Sequence, residues 1–132
     1  MTQVFLRLTA PASRTPEILQ ALGAIRLPAE LDRDCVRTQL GTDVQDPDVV
    51  VYLEEWLGAE GMERRIGSPD FRRLLSLLEL AAVPPLLEFR DISQVRGLEY
   101  VASVRRTDDA VDAPAGAPRL PGPEGEAWTS HH

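Results

Sequence analysis

Tyr52, Glu54 and Trp56 stand at i, i+2 and i+4 in a stretch, Asp48 to Trp56, whose Val-Val-Val-Tyr-Leu run reads as a strand. Side chains alternate across a strand, so these three share one face. A phenol, a carboxylate and an indole side by side make a wall suited to an aromatic ring. Trp56 would be its platform, and Tyr52 and Glu54 its acid–base groups, because a carboxylate removed from water beside two rings is suited to taking a proton. Each has a plainer use: Trp56 as core packing, Glu54 as the partner of an arginine. A shift of one residue would put Glu55 in the place of Glu54. If helices cover this face, Met62, Phe71 and Leu75 would close the pocket. Arg37 and Arg90 are isolated cations in strand-like segments, able to stabilise a phenolate or carboxylate, or to bridge across strands to Glu88 or Glu54.

Missing residue types exclude much other chemistry. All 14 basic residues are Arg, there is no Lys or Asn, and the two histidines are the final pair, His131 and His132, which read as a tag remnant rather than a site. Lysine Schiff bases and P-loop phosphate binding are excluded, and Ser-His-Asp or Cys-His catalysis and haem ligation by histidine nearly so. Cys35 is the one cysteine, so no internal disulfide or cysteine-rich zinc site can form. With no imidazole or amine to activate it, it reads as an inert, buried thiol. No metal site and no cofactor is expected. A net charge of -7 argues against a nucleic-acid partner. Neither a membrane span nor a secretory signal is legible, so a cytoplasmic protein is expected.

The elements that must position these residues follow from periodicity and punctuation. Gln3 to Thr9 alternates Val4, Leu6 and Leu8 with Phe5, Arg7 and Thr9, a strand ended by Pro11. Thr15-Pro16-Glu17 supplies a cap, a first-turn proline and an early acid to a helix, which buries Ile18, Leu22 and Ile25 and closes at Pro28. Asp34 to Thr42 reads as a second strand, with Val36, Thr38 and Leu40 opposite Cys35, Arg37 and Gln39. A turn around Pro47 precedes the Tyr52 strand. Gly58 to Ile66 is a short helix whose Arg64 and Arg65 read as solvated, with Glu60 and Arg64 as an i, i+4 pair. Ser68 and Pro69 start another helix, burying Phe71, Leu74, Leu75, Leu78 and Ala82. Leu86 to Ile92 is a fourth strand, and Gly97 to Arg106 leans to helix. Residues 107–132, with four Pro, three Gly and five acids against one Arg, read as a flexible tail after a 1–106 domain.

Strand, helix, strand, strand, helix, strand is the split βαβ order of a ferredoxin-like α+β fold: an antiparallel four-stranded sheet with helices on one face. The other face, carrying Val36 and Leu40 or their neighbours, then lacks a layer. A homodimer joined sheet to sheet supplies it.

The segment YLEEWLGAEGMERRIGSPDF, Tyr52 to Phe71, resembles the central block of antibiotic biosynthesis monooxygenase (ABM) domains, with Trp56, Glu60, Met62, Ser68, Pro69 and Phe71 at matching places. PPLLEFRDIS resembles that family's last core strand. The resemblance implies a dimeric α+β barrel and a cofactor-independent monooxygenase acting on a quinol or hydroxylated, polyketide-like aromatic. Only Trp56 carries over as a site residue, because Arg65 and Asp70 stand where many members have histidines. The alternatives are a non-catalytic ligand-binding or assembly protein and a cyclase or isomerase on the same scaffold.

Overall fold

The computed structural model describes the backbone of residues 1–112 and the side chains of residues 1–107. It forms two compact units, Met1–Ser93 and a second that begins at Gln94.

The first unit holds β1 (Thr2–Thr9), α1 (Thr15–Leu31), β2 (Cys35–Thr42), β3 (Val49–Trp56), α2 (Ala59–Ile66), α3 (Pro69–Leu78) and β4 (Leu86–Asp91). The strands form one sheet in the order β2-β3-β1-β4, every neighbouring pair antiparallel. This is the expected ferredoxin-like arrangement. Val4, Leu6 and Leu8 of β1 and Val50, Tyr52 and Trp56 of β3 meet Ile18, Leu22 and Ile25 of α1, Met62 of α2, and Phe71 and Leu74 of α3 in one core. The hydrophobic alternation of β1 thus faces the helices, and burial of these side chains drives the two layers together.

Four local readings are corrected. Pro28 does not close α1, which runs on to Leu31 with Ala29 buried; packing of Ala29 outweighs the missing proline donor. Thr15 is not the cap of α1: Arg14 holds that position, and the Thr15 hydroxyl donates to Asp48 Oδ1 at 3.0 Å. Leu75 is exposed on α3 beside the buried Phe71 and Leu74, and Ala82 is exposed beyond the end of α3 at Leu78. The faces of β2 are also reassigned. A bulge lies between Cys35 and Arg37, pairing Cys35 with Trp56 but Arg37 with Glu55. The extra residue, Val36, breaks the alternation, so Cys35 and Leu40 pack on the helix-side core while Arg37 and Gln39 face away.

In the second unit, the helix expected over Gly97 to Arg106 is present from Leu98, but α4 (Leu98–Asp112) continues six residues into the segment read as tail. Residues 113–132, with Trp128 and the terminal histidines, lie outside the described residues. No helix among the described residues is long and apolar enough to cross a membrane.

Candidate functional site

β3 carries its polar side chains to both faces of the sheet. Tyr52, Glu54 and Trp56 point to the helices, and Glu55 points away, which resolves the register left open by the sequence. Glu54 is fully buried, yet it is the best-partnered group in the unit. Its Oε2 accepts from Tyr52 Oη at 2.6 Å and from Arg65 Nη2 at 2.8 Å. Its Oε1 accepts from Trp56 Nε1 at 3.0 Å, and Arg65 Nε reaches both oxygens at 3.2 Å. Arg65 Nη2 also donates to the Ile25 carbonyl oxygen at 2.9 Å, tying the cluster to α1.

Arg65 is the residue that sequence reasoning missed. It is only 4% exposed, not solvated. The signal was present: Arg65 lies four positions after Gly61 and three after Met62, both buried, so it shares their helix face. Its neighbour Arg64 does face solvent, but it binds Asp32 at 2.9 Å and Asp34 at 3.1 Å rather than Glu60. Those two pairs hold α2 against the turn before β2.

Two small residues make this placement possible. A Cβ on Gly61 would lie 3.0 Å from Asp34 Cβ and 3.1 Å from Trp56 Cε3, so a larger residue would fit here only if those side chains gave way slightly. Ser68 ends the run: its hydroxyl donates to the Arg65 carbonyl oxygen at 2.7 Å and accepts from the Phe71 amide at 3.2 Å. One side chain therefore closes α2 behind Arg65 and caps α3 ahead of Phe71.

Burial and charge set the protonation of the cluster. Burial, and then the Glu54 carboxylate, push the Tyr52 phenol far above its ordinary range, so it remains a donor. Burial opposes the charge on Arg65, but the bonds and charge of Glu54 outweigh it and leave the guanidinium more firmly protonated. Cys35 is pushed up to about 11, by burial and then by the Glu54 charge, and stays a thiol.

The remaining predicted site residues do not all join. Met62 and Phe71 are buried in the same core. Leu75 is 43% exposed, one turn past Phe71, and does not close over the cluster. Arg37 and Arg90 are on the opposite face of the sheet, because their register partners Glu55 and Gln3 face that way. Arg37 Nη2 donates to Glu55 Oε1 at 2.9 Å, and Gln3 Nε2 donates to the same oxygen at 2.6 Å. The Arg37 bond holds the Glu55 carboxyl below its usual range. Arg90 binds Glu88, its neighbour on the same strand, at 2.8 Å and lies 4.2 Å over the centre of the Phe5 ring. Neither cation can act together with Glu54.

The fold is that of solved antibiotic biosynthesis monooxygenase structures, as the resemblance in Tyr52 to Phe71 implied. A candidate monooxygenase of this kind from Deinococcus radiodurans superposes with a TM-score of 0.65 at 16% identity, covering 74% of this chain and 97% of its own. Another, from Nitrosomonas europaea, gives 0.62 at 10% identity, covering 71% and 100%. A third structure, of an antibiotic biosynthesis monooxygenase, gives 0.61 at 18% identity, covering 71% and 100%. No protein-family model and no curated protein matches this sequence.

Proposed function

We propose that this chain is a cofactor-independent monooxygenase of the ABM type, acting on a quinol or another hydroxylated aromatic between the helices and the sheet. The observation that carries this reading is the hydrogen-bonded cluster of Tyr52, Glu54, Trp56 and Arg65, with its buried Arg65–Glu54 pair at 2.8 Å, inside an otherwise apolar core of that fold. Buried charge pairs seldom improve stability over apolar residues of equal size, and they concentrate at functional sites.

The reaction asks little of the protein. A deprotonated quinol is electron-rich enough to reduce dioxygen itself; one oxygen atom enters the ring and the other leaves as water, giving a hydroxyquinone. The substrate supplies all four electrons. The quinol gives its phenolic proton to solvent as it enters, and the chain must hold the ring and exclude water. Trp56 is the platform for the ring. Tyr52 remains protonated and donates. Glu54, with both oxygens taken by Tyr52, Trp56 and Arg65, orients these three groups rather than acting as the free base expected from sequence.

A second copy of the chain is also part of the proposal. Within Met1–Ser93 the outer sheet face carries no helix, and it presents half-buried Phe5, Val51 and Leu53 ringed by the Gln3–Glu55–Arg37 and Arg90–Glu88 pairs. An apolar centre with a polar rim suits a sheet-to-sheet homodimer.

Oxygen uptake with a panel of quinols, compared between the wild type and Trp56→Phe, tests the activity. We expect uptake by the wild type and a loss of about tenfold or more in kcat/KM on removing the indole. Uptake indifferent to Trp56 would remove the platform, and binding of quinols without uptake would leave a ligand-binding protein.

A further inference from the structure

Trp56 is only 1% exposed, and α2 lies against it, with the Cβ position of Gly61 3.1 Å from Trp56 Cε3. A ring reaches this indole only if an element covering it moves. α2 is fastened unlike the other helices of its unit. α1 buries Ile18, Leu22, Ile25 and Ala29, and α3 buries Phe71 and Leu74. α2 buries Gly61, Met62 and Arg65, so Met62 is its one large apolar side chain in the core, and Ala59 and Ile66 are exposed. Its other ties are polar. Arg64 binds Asp32 and Asp34 at the surface, at 2.9 and 3.1 Å, and Arg65 binds Glu54 beneath it at 2.8 Å. Water can replace polar partners but not apolar packing, so lifting α2 forfeits less than lifting α1 or α3. Glu54 is also provided for. Without Arg65 its carboxylate keeps Tyr52 Oη at 2.6 Å and Trp56 Nε1 at 3.0 Å, both from its own strand.

We propose that α2 is a lid over Trp56, hinged where Gly58 and Gly67 bound it, which lifts as a unit while the sheet, α1 and α3 stay folded. The surface pairs of Arg64 with Asp32 and Asp34 are its latch. Lifting carries Arg65 away from Glu54, admits water to the carboxylate and uncovers the indole. Fraying is a different event: it loosens the ends of α2 and leaves the indole covered. The use of the lid, to admit an aromatic ring, rests on the activity proposed above. The motion itself is tested without any substrate.

Hydrogen exchange of the full chain, followed by NMR with the Trp56 indole signal assigned through Trp128→Phe, reads the opening. We expect the Trp56 indole N–H and the α2 amides to share one protection, at least about a hundredfold below that of the Leu6 and Tyr52 amides in the central strands. Arg64→Gln, at an exposed side chain that does not touch the cluster, should lower the indole's protection about threefold or more. That latch is lost in global unfolding as well, so a second variant supplies the contrast. Ile18→Val loosens the core at α1 and should speed exchange at Leu6 and Tyr52 about fivefold while leaving α2 and the indole unchanged. An indole as protected as Leu6, or one that follows Leu6 in Ile18→Val, meets water only by global unfolding and overturns the lid. So does an indole unmoved by Arg64→Gln, or α2 amides that exchange without it. Exchange as expected with no oxygen uptake from any quinol keeps the lid and removes the monooxygenase reading; uptake with an indole as protected as Leu6 does the reverse.

Discussion

Arg65 and Glu54 would each be expensive to bury alone, and together they hold every atom of the carboxylate in place. Removing one partner should therefore be worse than removing both. Arg65→Met leaves an uncompensated buried carboxylate and should lower unfolding free energy in urea by about 3–5 kcal/mol, whereas Glu54→Gln/Arg65→Met should recover most of that loss. A single variant as stable as the double would contradict the geometry. Tyr52 and Cys35 add an alkaline dependence. Both hold their protons to higher pH in the folded chain than in the unfolded one. The unfolded state therefore loses protons first, and stability falls as pH rises. For Cys35 the window runs from 9.0 to about 11; for Tyr52 it opens near 10 and extends upward. The urea midpoint should decline through this range, and Tyr52→Phe should flatten the decline above pH 10. A midpoint constant to pH 11 would show that neither group is held as described.

At the scale of elements, the short α2 is placed by its ends and by one glycine. Adding a methyl at Gly61 presses it against the Asp34 and Trp56 side chains, at 3.0 and 3.1 Å, so either these or α2 must give way. We expect Gly61→Ala to cost about 1–3 kcal/mol and to shift tryptophan emission, a pairing that a simple gain in helix propensity would not produce. Greater stability with unchanged emission would mean that α2 has room to move. Ser68→Ala removes the acceptor of the Phe71 amide, and should cost about 1 kcal/mol in the same urea measurement. The cost should come with weaker quinol binding, because the same hydroxyl holds the Arg65 carbonyl.

For the whole molecule, the outer sheet face is the open question that chemistry can address. Val51 and Leu53 sit at its centre on β3, between β2 and β1. Sedimentation equilibrium at micromolar concentration should give a dimer, and Leu53→Asp should give a folded monomer with unchanged circular dichroism. A wild-type monomer would remove the second copy from the proposal. Because the Glu54 cluster faces the helices of its own subunit, dissociation should leave quinol binding intact.

Periodicity alone determined the layer architecture. Alternation in β1, the Val-rich run of β3 and the Ser68-Pro69 start of α3 are local signals that tertiary packing reinforced. Composition alone removed lysine, internal histidine and disulfide chemistry. The resemblance centred on Trp56 pointed to the fold that the solved structures share. What needed three dimensions was the pairing of distant groups. Arg65 and Glu54 are eleven positions apart, with a turn and a helix start between them, and only the packing of α2 on β3 brings a guanidinium to that carboxylate. The bulge at Val36 is likewise invisible to a strict two-residue alternation, yet it separates Cys35, on the core face, from Arg37, on the far side of the sheet. A strand's pattern tells which residues share a face, but burial on that face, and hence the charge and hydrogen bonds it must satisfy, is set by what packs over it.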